Sequence, residues 1–161
     1  MKLSKKSEYG LRALLDLAAH SDEGAVRLKD LADRNNIPIK FLEQIFLALR
    51  NAGVVRSQVG ARGGYTLGHL AEEITLGQVI RALDGTIAPV GCVSVIAYEL
   101  CTCPDEHMCP LRAAMNQVRD AIVAVVDYTS LADAVSRGKA LSNITPPASK
   151  ALPSRRTGRK L

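Results

Sequence analysis

Residues 28–67 contain two helical apolar patterns followed by a β-prone pattern within forty positions, and few folds accommodate this order. Apolar side chains recur at three- and four-residue intervals in residues 28–35 and again in 39–52, which predicts two amphipathic helices. Residues 36–38 (NIP) interrupt the pattern, because proline disfavours helical geometry at the residue before it. Gly53 is the residue type favoured just past a helix end. The sequence therefore predicts a helix-turn-helix over about residues 28–51.

A β-prone segment follows this pair of helices. Residues 54–59 (VVRSQV) predict one strand, residues 60–64 (GARGG) a glycine-rich turn, and residues 65–67 (YTL) a returning strand. A helix-turn-helix with such a hairpin, or wing, over about 54–67 is the arrangement of a winged DNA-binding domain, whose second helix enters the major groove. Arg62 at the tip of the wing is a candidate contact to phosphates or to the minor groove.

Charge is divided unevenly along the chain. Residues 1–70 hold 11 Lys or Arg against 7 Asp or Glu, residues 71–138 hold 4 against 9, and residues 139–161 hold 6 against none. A basic N-terminal part suits a polyanion such as DNA. An ordinary solvated surface explains the same excess, so charge alone does not decide between the two.

All four cysteines, Cys92, Cys101, Cys103 and Cys109, fall within 18 residues. The N-terminus resembles no export signal and no apolar run is long enough to cross a membrane, so we expect a cytoplasmic protein in a reducing compartment. There, clustered thiols indicate a metal or cluster site, or a redox switch, before structural disulfides. Zinc is the weaker candidate because the Cys-x-x-Cys spacing is missing, whereas iron-sulfur clusters are commonly held by thiolates.

The remainder of the chain is also mainly helical. Thr75 and Gln78 have the spacing of a capping box and predict a helix as far as Asp84. Pro110 starts a long helix, predicted over 110–128, and a short helix is predicted to end at Arg137. The long helix carries an apolar stripe that we expect to form a homodimer interface, although a place in the core would also bury it; the stripe consists of Leu111, Met115, Val118, Ile122, Val125 and Val126.

The predicted fold class is mainly α, a winged helix-turn-helix domain with a two-stranded wing plus a long C-terminal dimerisation helix. The predicted segments are a winged helix-turn-helix domain (1–85), a cysteine-rich cluster-binding loop (86–109), a dimerisation helix with a short cap helix (110–138) and a disordered basic tail (139–161).

Several blocks of the sequence together resemble one family. They are KKSEYGLRALLD (5–16), IKFLEQIFLALR (39–50), GVVRSQVGARGGYTL (53–67), ITLGQV (74–79) and the cysteine loop that leads to CPL (109–111). Over about residues 1–138 the chain is similar to bacterial winged-helix regulators of the IscR, NsrR and RirA type, also called the Rrf-two family.

The resemblance implies a homodimeric transcriptional regulator, acting as repressor or activator, that binds double-stranded operator DNA. A [2Fe–2S] or [4Fe–4S] cluster held by three cysteines per subunit would tune this binding in response to iron, nitric oxide or redox state. The implied ligands are Cys92, Cys103 and Cys109, with Cys101 as an alternative or fourth thiolate. Glu8 of the partner subunit resembles the acidic ligand of some relatives, and His107 is a local alternative. Arg112 stands where other relatives have a histidine ligand.

The resemblance also implies the DNA-contacting residues. Lys40, Glu43 and Gln44 would lie where side chains meet base edges. Phosphates would be contacted by Lys5, Lys6, Arg50 and Arg56. Val59 stands where relatives commonly have the arginine of an Arg-Gly pair, and Arg62 would compensate. The candidate DNA contacts are Lys5, Lys40, Glu43, Gln44, Arg50, Arg56, Arg62, Gly63 and Tyr65.

Two other functions are compatible with parts of the sequence. The first is a cluster-free regulator of the same fold, switched by thiol oxidation or by zinc. The second is a small iron-sulfur carrier or enzyme, which is disfavoured because the sequence has neither a nucleotide-phosphate loop nor a catalytic constellation. We therefore expect no enzymatic activity, no small-molecule substrate and no membrane association.

Overall fold

The computed structural model describes residues 2–60 and 63–142. Its elements are α1 (Lys5–Ala19), α2 (Leu28–Asn35), α3 (Ile39–Asn51), β1 (Val55–Gln58), β2 (Gly64–Leu67), α4 (Leu76–Asp84), α5 (Pro110–Val126) and α6 (Leu131–Ser142), with short 3₁₀ turns at Ser21–Glu23 and Gly91–Val93. The predicted fold class is confirmed as a mainly helical chain with a two-stranded antiparallel sheet.

The core lies between α1, α2, α3 and α4. Each helix contributes apolar side chains from one face, as the helical period requires. The fully buried members from α1 and α3 are Ala13, Leu14, Leu42, Ile45, Phe46 and Leu49. Leu131 at the start of α6 is equally buried. The C-terminal helix therefore completes the core of the winged domain.

The turn between α2 and α3 is held by its backbone. Asn36 adopts a left-handed conformation (φ 51°), which asparagine tolerates better than most residues, and ends α2. The Ile37 amide donates to the Ala32 carbonyl at 2.9 Å, and Pro38 directly precedes α3. These contacts fix the angle between the two helices and confirm the predicted helix-turn-helix.

The wing is anchored to the loop before α2. β1 and β2 pair antiparallel, with Val55 opposite Leu67. Val26 and Tyr65 exchange two backbone hydrogen bonds of 3.0 and 2.8 Å, which adds a third segment to the sheet. Gly64 makes this approach possible, because a Cβ there would lie 2.5 Å from the Val26 carbonyl oxygen. Ala61 and Arg62 lie outside the described residues.

The capping box predicted for α4 is present. The Thr75 amide donates to Gln78 Oε1 at 3.0 Å, and the Gln78 amide donates to Thr75 Oγ1 at 3.2 Å. Two otherwise unpaired donors at the helix start are thereby satisfied. α4 then packs against α1, where Gly10 lies against Leu83.

The two C-terminal helices differ from their predicted bounds. α5 ends at Val126, two residues before the predicted end. α6 continues to Ser142, so both the predicted end at Arg137 and the predicted start of a disordered tail at residue 139 were wrong. Gly138 lies inside α6, and a helix tolerates one such glycine at a cost of about 1 kcal/mol. Residues 143–161, the rest of the predicted tail, lie outside the described residues.

No helix within residues 2–60 and 63–142 is long and apolar enough to cross a membrane.

Candidate nucleic-acid interface and thiol site

One face of α3 projects away from the core. The buried side chains on its other face hold the helix in place, so the outward side chains stand on a fixed platform. Its exposed positions include Lys40, Glu43, Gln44, Leu47 and Arg50. Lys40 Nζ lies 3.3 Å from Glu43 Oε2, and both side chains remain largely accessible. Four predicted DNA contacts therefore share one exposed helix face.

The wing adds a second exposed surface beside α3. Arg56 is exposed on β1, and Val59 is fully exposed near the tip. The Gly63 amide donates to the Gly60 carbonyl at 2.8 Å, and a Cβ at Gly63 would collide with backbone oxygens. Gly60 has a φ of 131°, a conformation that other residues rarely adopt. Gly60 and Gly63 therefore both occupy backbone positions that other residues would not fit.

Tyr65, predicted as a DNA contact, lies in a structural position. Its ring packs edge-on against Phe46, with ring centroids 4.9 Å apart. Its backbone also forms the bridge to Val26. Tyr65 therefore joins the wing to α3 and sets the position of both surfaces.

Lys5 and Glu8 form an ion pair on the first turn of α1. Lys5 Nζ lies 2.7 Å from Glu8 Oε2, and it also lies 5.3 Å from the centroid of the Tyr9 ring. The hydrogen bond from Lys5 lowers the pKa of Glu8 and raises that of Lys5. Glu8, predicted as a ligand from the partner subunit, is thus a charged, half-exposed carboxylate with a cation of its own chain beside it.

The start of α1 is joined to the end of α4 through Asp84. Ser4 donates to this carboxylate from its hydroxyl at 2.5 Å and from its amide at 3.2 Å. Burial by itself raises the pKa of Asp84, but the hydrogen bonds from Ser4 and the charge of Lys6 outweigh it, so the pKa lies below its usual value.

The four cysteines are free thiols that the loop brings together. Cys103 Sγ lies 3.7 Å from Cys109 Sγ, and the Cys103 amide donates to Cys101 Sγ at 3.3 Å. The Cys101 thiol also interacts with that of Cys92. Cys101, Cys103 and Cys109 therefore form a series of contacts in the loop, with Cys92 near Cys101.

The pKa values of the thiols are shifted in different directions. Hydrogen bonds with Cys101 and Cys109 raise the pKa of Cys103 to about 12. Burial and the neighbouring Cys101 raise the pKa of Cys92, whereas the hydrogen bonds from Cys103 lower that of Cys101. Cys101 is therefore the thiol whose anion its neighbours stabilise.

The donor chemistry of this site suits a soft or borderline metal centre. Thiolates are the ligands of iron-sulfur clusters and of tetrahedral Zn²⁺. Within the described residues, no group of three or more His, Cys, Asp or Glu side chains is already arranged around a common metal position. The backbone amide of His107 donates to Asp105 at 2.9 Å, on the exposed side of the loop. The four thiols therefore fit such a centre in their donor chemistry.

Two arginines that sequence analysis did not assign hold the loop against α5. Arg112 Nε donates to the Cys92 carbonyl at 3.3 Å and lies 3.1 Å from Glu106 Oε1. Arg119, two turns further along the helix, donates to the Val93 carbonyl at 2.7 Å. The spacing of the two arginines places them on one side of α5, but the sequence does not show that their partners are backbone carbonyls.

The opposite end of α5 is fastened to the winged domain. The Leu76 amide donates to the Thr129 carbonyl at 2.9 Å, and the Leu131 amide donates to the Ile74 carbonyl at 2.8 Å. Asp127 accepts two hydrogen bonds from Arg81, at 2.6 and 2.9 Å. α5 therefore joins the thiol loop to the domain that carries α3.

The fold, the exposed α3 face and the adjacent wing define a DNA-binding protein of the winged helix-turn-helix class. The sequence model of the Rrf2 family, described as an iron-dependent transcriptional regulator, matches residues 3–137. The chain belongs to the Rrf2 family and is a transcriptional regulator, not an enzyme.

Individual relatives cover most of the chain. It is 41% identical over 133 residues to protein rrf2 of Nitratidesulfovibrio vulgaris, a match that covers 83% of this chain and 86% of the relative. The structure of CymR (YrzC), the global cysteine regulator of B. subtilis, has a TM-score of 0.72 at 39% identity and covers 85% of this chain and 98% of its own. The structure of T. potens IscR has a TM-score of 0.71 at 33% identity, with coverages of 88% and 90%.

Proposed function

We propose that this chain is a homodimeric, operator-binding regulator whose DNA affinity is set by an iron-sulfur cluster on Cys92, Cys103 and Cys109. The observation that carries the proposal is the contact series of thiols in the loop that leads directly into α5. The description of the family as iron-dependent supports iron as the metal. The regulator would act where the chromosomal DNA lies, in the cytoplasm.

The exposed face of α3 would read the operator. Gln44 has the donor and acceptor pair that recognises adenine in the major groove, and Glu43 accepts from cytosine. Lys40, Arg50 and Arg56 would neutralise phosphates on either side. Lys5 and the wing residues Arg62 and Gly63 are further candidates for backbone contacts, and Arg62 lies outside the described residues.

The second subunit would cover α5. None of the 17 residues of this helix is buried within the subunit. Leu111 and Val125 are mostly exposed, and Val118 is 39% exposed, although all three belong to one apolar stripe. Pairing two such stripes about a two-fold axis would remove them from water and place two α3 helices for the half-sites of a palindromic operator.

A bound iron-sulfur cluster would supply a redox-active centre whose charge and occupancy change with iron and oxidants. The chain's own residues would hold the cysteine loop in position against α5. Arg112 and Arg119 hold the turn that carries Cys92 against α5, and Cys109 caps the same helix by accepting from the Arg112 amide at 3.5 Å. Ordering of the loop would thereby reach α5 and, through Asp127, the winged domain.

The decisive experiment is anaerobic purification with iron and sulfide counted per monomer, combined with operator affinity. Cys109→Ala should lose visible colour, iron and the dependence of operator affinity on iron. Thr102→Ala, a change in the same loop without a thiol, should keep all three. Colour retained in Cys109→Ala would overturn the proposal.

A second candidate is a regulator of the same fold that responds by thiol oxidation or zinc. The 3.7 Å separation of Cys103 and Cys109 favours it, because two sulfurs in contact need little movement to form a disulfide. The likeness to Staphylococcus aureus CymR, which has a structure of an oxidized form, points in the same direction. Colourless anaerobic protein whose operator affinity changes with peroxide or Zn²⁺ would support this candidate over the first.

A further inference from the structure

We propose that Leu47, an exposed leucine on α3, contacts the 5-methyl group of a thymine in the major groove and thereby helps to select the operator. This role rests on the proposed function, because it extends the reading of the operator by the same helix face. It adds an apolar contact to a face whose other proposed contacts are polar or charged.

Leu47 lies on the outer side of a helix whose other large apolar side chains point inwards. It is 50% exposed, whereas the adjoining Phe46 and Ile45 are fully buried. Glu43 and Gln44 precede it by four and three residues, and side chains at these intervals lie on one side of a helix. Leu47 therefore projects from the same side of α3 as two of the side chains that would meet base edges.

The position of Leu47 along α3 defines which base pairs it can reach. An α-helix rises about 1.5 Å per residue, and stacked base pairs are about 3.4 Å apart. The three residues from Gln44 to Leu47 advance about 4.5 Å, slightly more than one base-pair step. With α3 lying along the groove, the base that Leu47 contacts is within about two base pairs of the pair that Gln44 contacts.

The aliphatic side chain of Leu47 limits the base that it can recognise. It neither donates nor accepts a hydrogen bond, and the 5-methyl group of thymine is the apolar feature that a base pair presents in the major groove. Contact between the two removes both from water. A leucine set against a purine edge or against cytosine would displace water from a donor or acceptor without replacing the hydrogen bond. Leu47 therefore favours thymine over the other three bases.

The neighbours of Leu47 favour DNA over an apolar protein partner. Glu43, Gln44 and Arg50 are the exposed side chains one turn away on the same side of α3, and all three are polar or charged. Leu47 is thus a single apolar group on a polar face and not part of an extended apolar patch of the kind that protein partners cover. Cations beside a single apolar group match a major groove, which places phosphates beside base methyl groups.

The test removes one methyl group from the DNA and the leucine from the protein, separately and together. The DNA is a duplex that the full-length wild-type chain, purified anaerobically, selects from a random-sequence pool. Each thymine of this duplex is replaced singly by uracil, which lacks the 5-methyl group. Fluorescence anisotropy then gives the affinity of the wild type, Leu47→Ala and Leu47→Met for every duplex.

We expect one thymine at which uracil weakens wild-type binding by about fourfold, the equivalent of losing one buried methyl group. Leu47→Ala should weaken binding to the thymine duplex by at least about the same factor and should bind the thymine and uracil duplexes equally. Leu47→Met keeps an apolar side chain and should keep the preference for thymine.

Leu141→Ala is the matched control, because it removes a leucine that is 67% exposed on a different helix, α6. This variant should respond to each uracil as the wild type does. Leucine and alanine are both strong helix formers, and Leu47 lies outside the buried core, so Leu47→Ala should fold normally. Thermal unfolding verifies this.

Two results would overturn the role of Leu47. One is a preference for thymine in Leu47→Ala as large as that of the wild type, and the other is a wild type that binds every uracil duplex as tightly as the thymine duplex. Either result leaves the proposed function standing if Gln44→Ala still changes the preferred base sequence. Failure of operator reading itself has a different signature, in which the wild type selects no preferred sequence from the pool, and it would overturn both.

Discussion

The guanidinium of Arg81 on α4 donates two hydrogen bonds to the carboxylate of Asp127 at the end of α5, at 2.6 and 2.9 Å. The hydrogen bond with Asp127 raises the pKa of Arg81, so the guanidinium keeps its charge at neutral pH. Gly77 leaves the space for the carboxylate, because any Cβ there would overlap Asp127. The winged domain and the long helix are thus joined by a planar, two-point contact.

Removal of this pair should destabilise the chain modestly. The two side chains are 33% and 31% exposed, so we expect Arg81→Gln to lower the free energy of unfolding by about 1 kcal/mol. Urea denaturation measures the loss. Glu43→Gln, which breaks the more exposed pair with Lys40, should change stability by less than about 0.5 kcal/mol. Equal losses of stability in the two variants would contradict a stabilising role for the bond between Arg81 and Asp127.

A side chain at Gly64 should disrupt the pairing of the wing with the segment that contains Val26. Gly64→Ala places a Cβ against the backbone of Val26, so we expect a loss of about 1–3 kcal/mol and weaker operator binding. Calorimetry and a binding titration measure the two effects. Gly138→Ala is the matched control, since a Cβ there meets nothing within 4 Å, and it should stabilise α6 by up to about 1 kcal/mol. Gly64→Ala that is as stable as the wild type would refute the close approach.

Some residues on the exposed α3 face should determine which base sequence is preferred, and others should determine only how tightly DNA of any sequence is bound. Gln44→Ala should relax the preference for one base pair at a cost of about 1–3 kcal/mol. Lys40→Ala should weaken binding to all sequences alike and reduce the dependence of log affinity on log salt by about 1 per site. Fluorescence anisotropy with point-substituted operators across a salt series distinguishes the two. A uniform loss in Gln44→Ala would exclude base recognition by this side chain.

The apolar stripe of α5 should control assembly. Val118→Glu puts a charge into the stripe without disturbing the core of the subunit, so we expect monomers in sedimentation equilibrium and weakened binding to a palindromic operator. Gln117→Glu adds the same charge one position earlier, on a different side of α5, and should remain dimeric. If both variants are dimers, the interface lies elsewhere.

Protonation of Asp84 at acid pH should lower the stability of the folded chain. Its folded-state pKa lies below the unfolded value of about 3.9, so the unfolded chain binds more protons as pH falls below about 5. The stabilisation is therefore present above that unfolded value and is lost as pH falls through the folded value. Urea midpoints between about pH 7 and 3 should fall less steeply in Asp84→Asn than in the wild type, with Ser4→Ala between them. Parallel profiles would show that the carboxylate contributes nothing to acid sensitivity.

Local signals were sufficient for much of the fold. α2 has its predicted bounds, since the apolar period and the Pro38 turn act within a few residues. The capping box at Thr75 and Gln78 formed as predicted for the same reason. The end of α6 was mispredicted, because Gly138 and a change in composition resemble a helix stop when neither decides it alone.

The site could be predicted in its residue types but not in its contacts. Clustered cysteines predicted a thiol site, yet the order of contacts among them depends on how Arg112 and Arg119 bind backbone carbonyls 20 and 26 residues away. Tyr65 stays a predicted DNA contact, and its packing on Phe46 is an additional tertiary contact for which the sequence has no local signal. The bond between Arg81 and Asp127 spans 46 residues and was not predicted for the same reason.

The length of α5 gives it the mechanics of a lever. Its 17 residues span about 25 Å, with the fulcrum at Asp127 and the free arm at the cysteines. A tilt of about 5° at the fulcrum sweeps the far end through roughly 2 Å, the scale of the helix shifts seen in protein switching. Conversely, a displacement of that size at the cysteine end of α5 would become a small rotation at α4, where Arg81 holds Asp127.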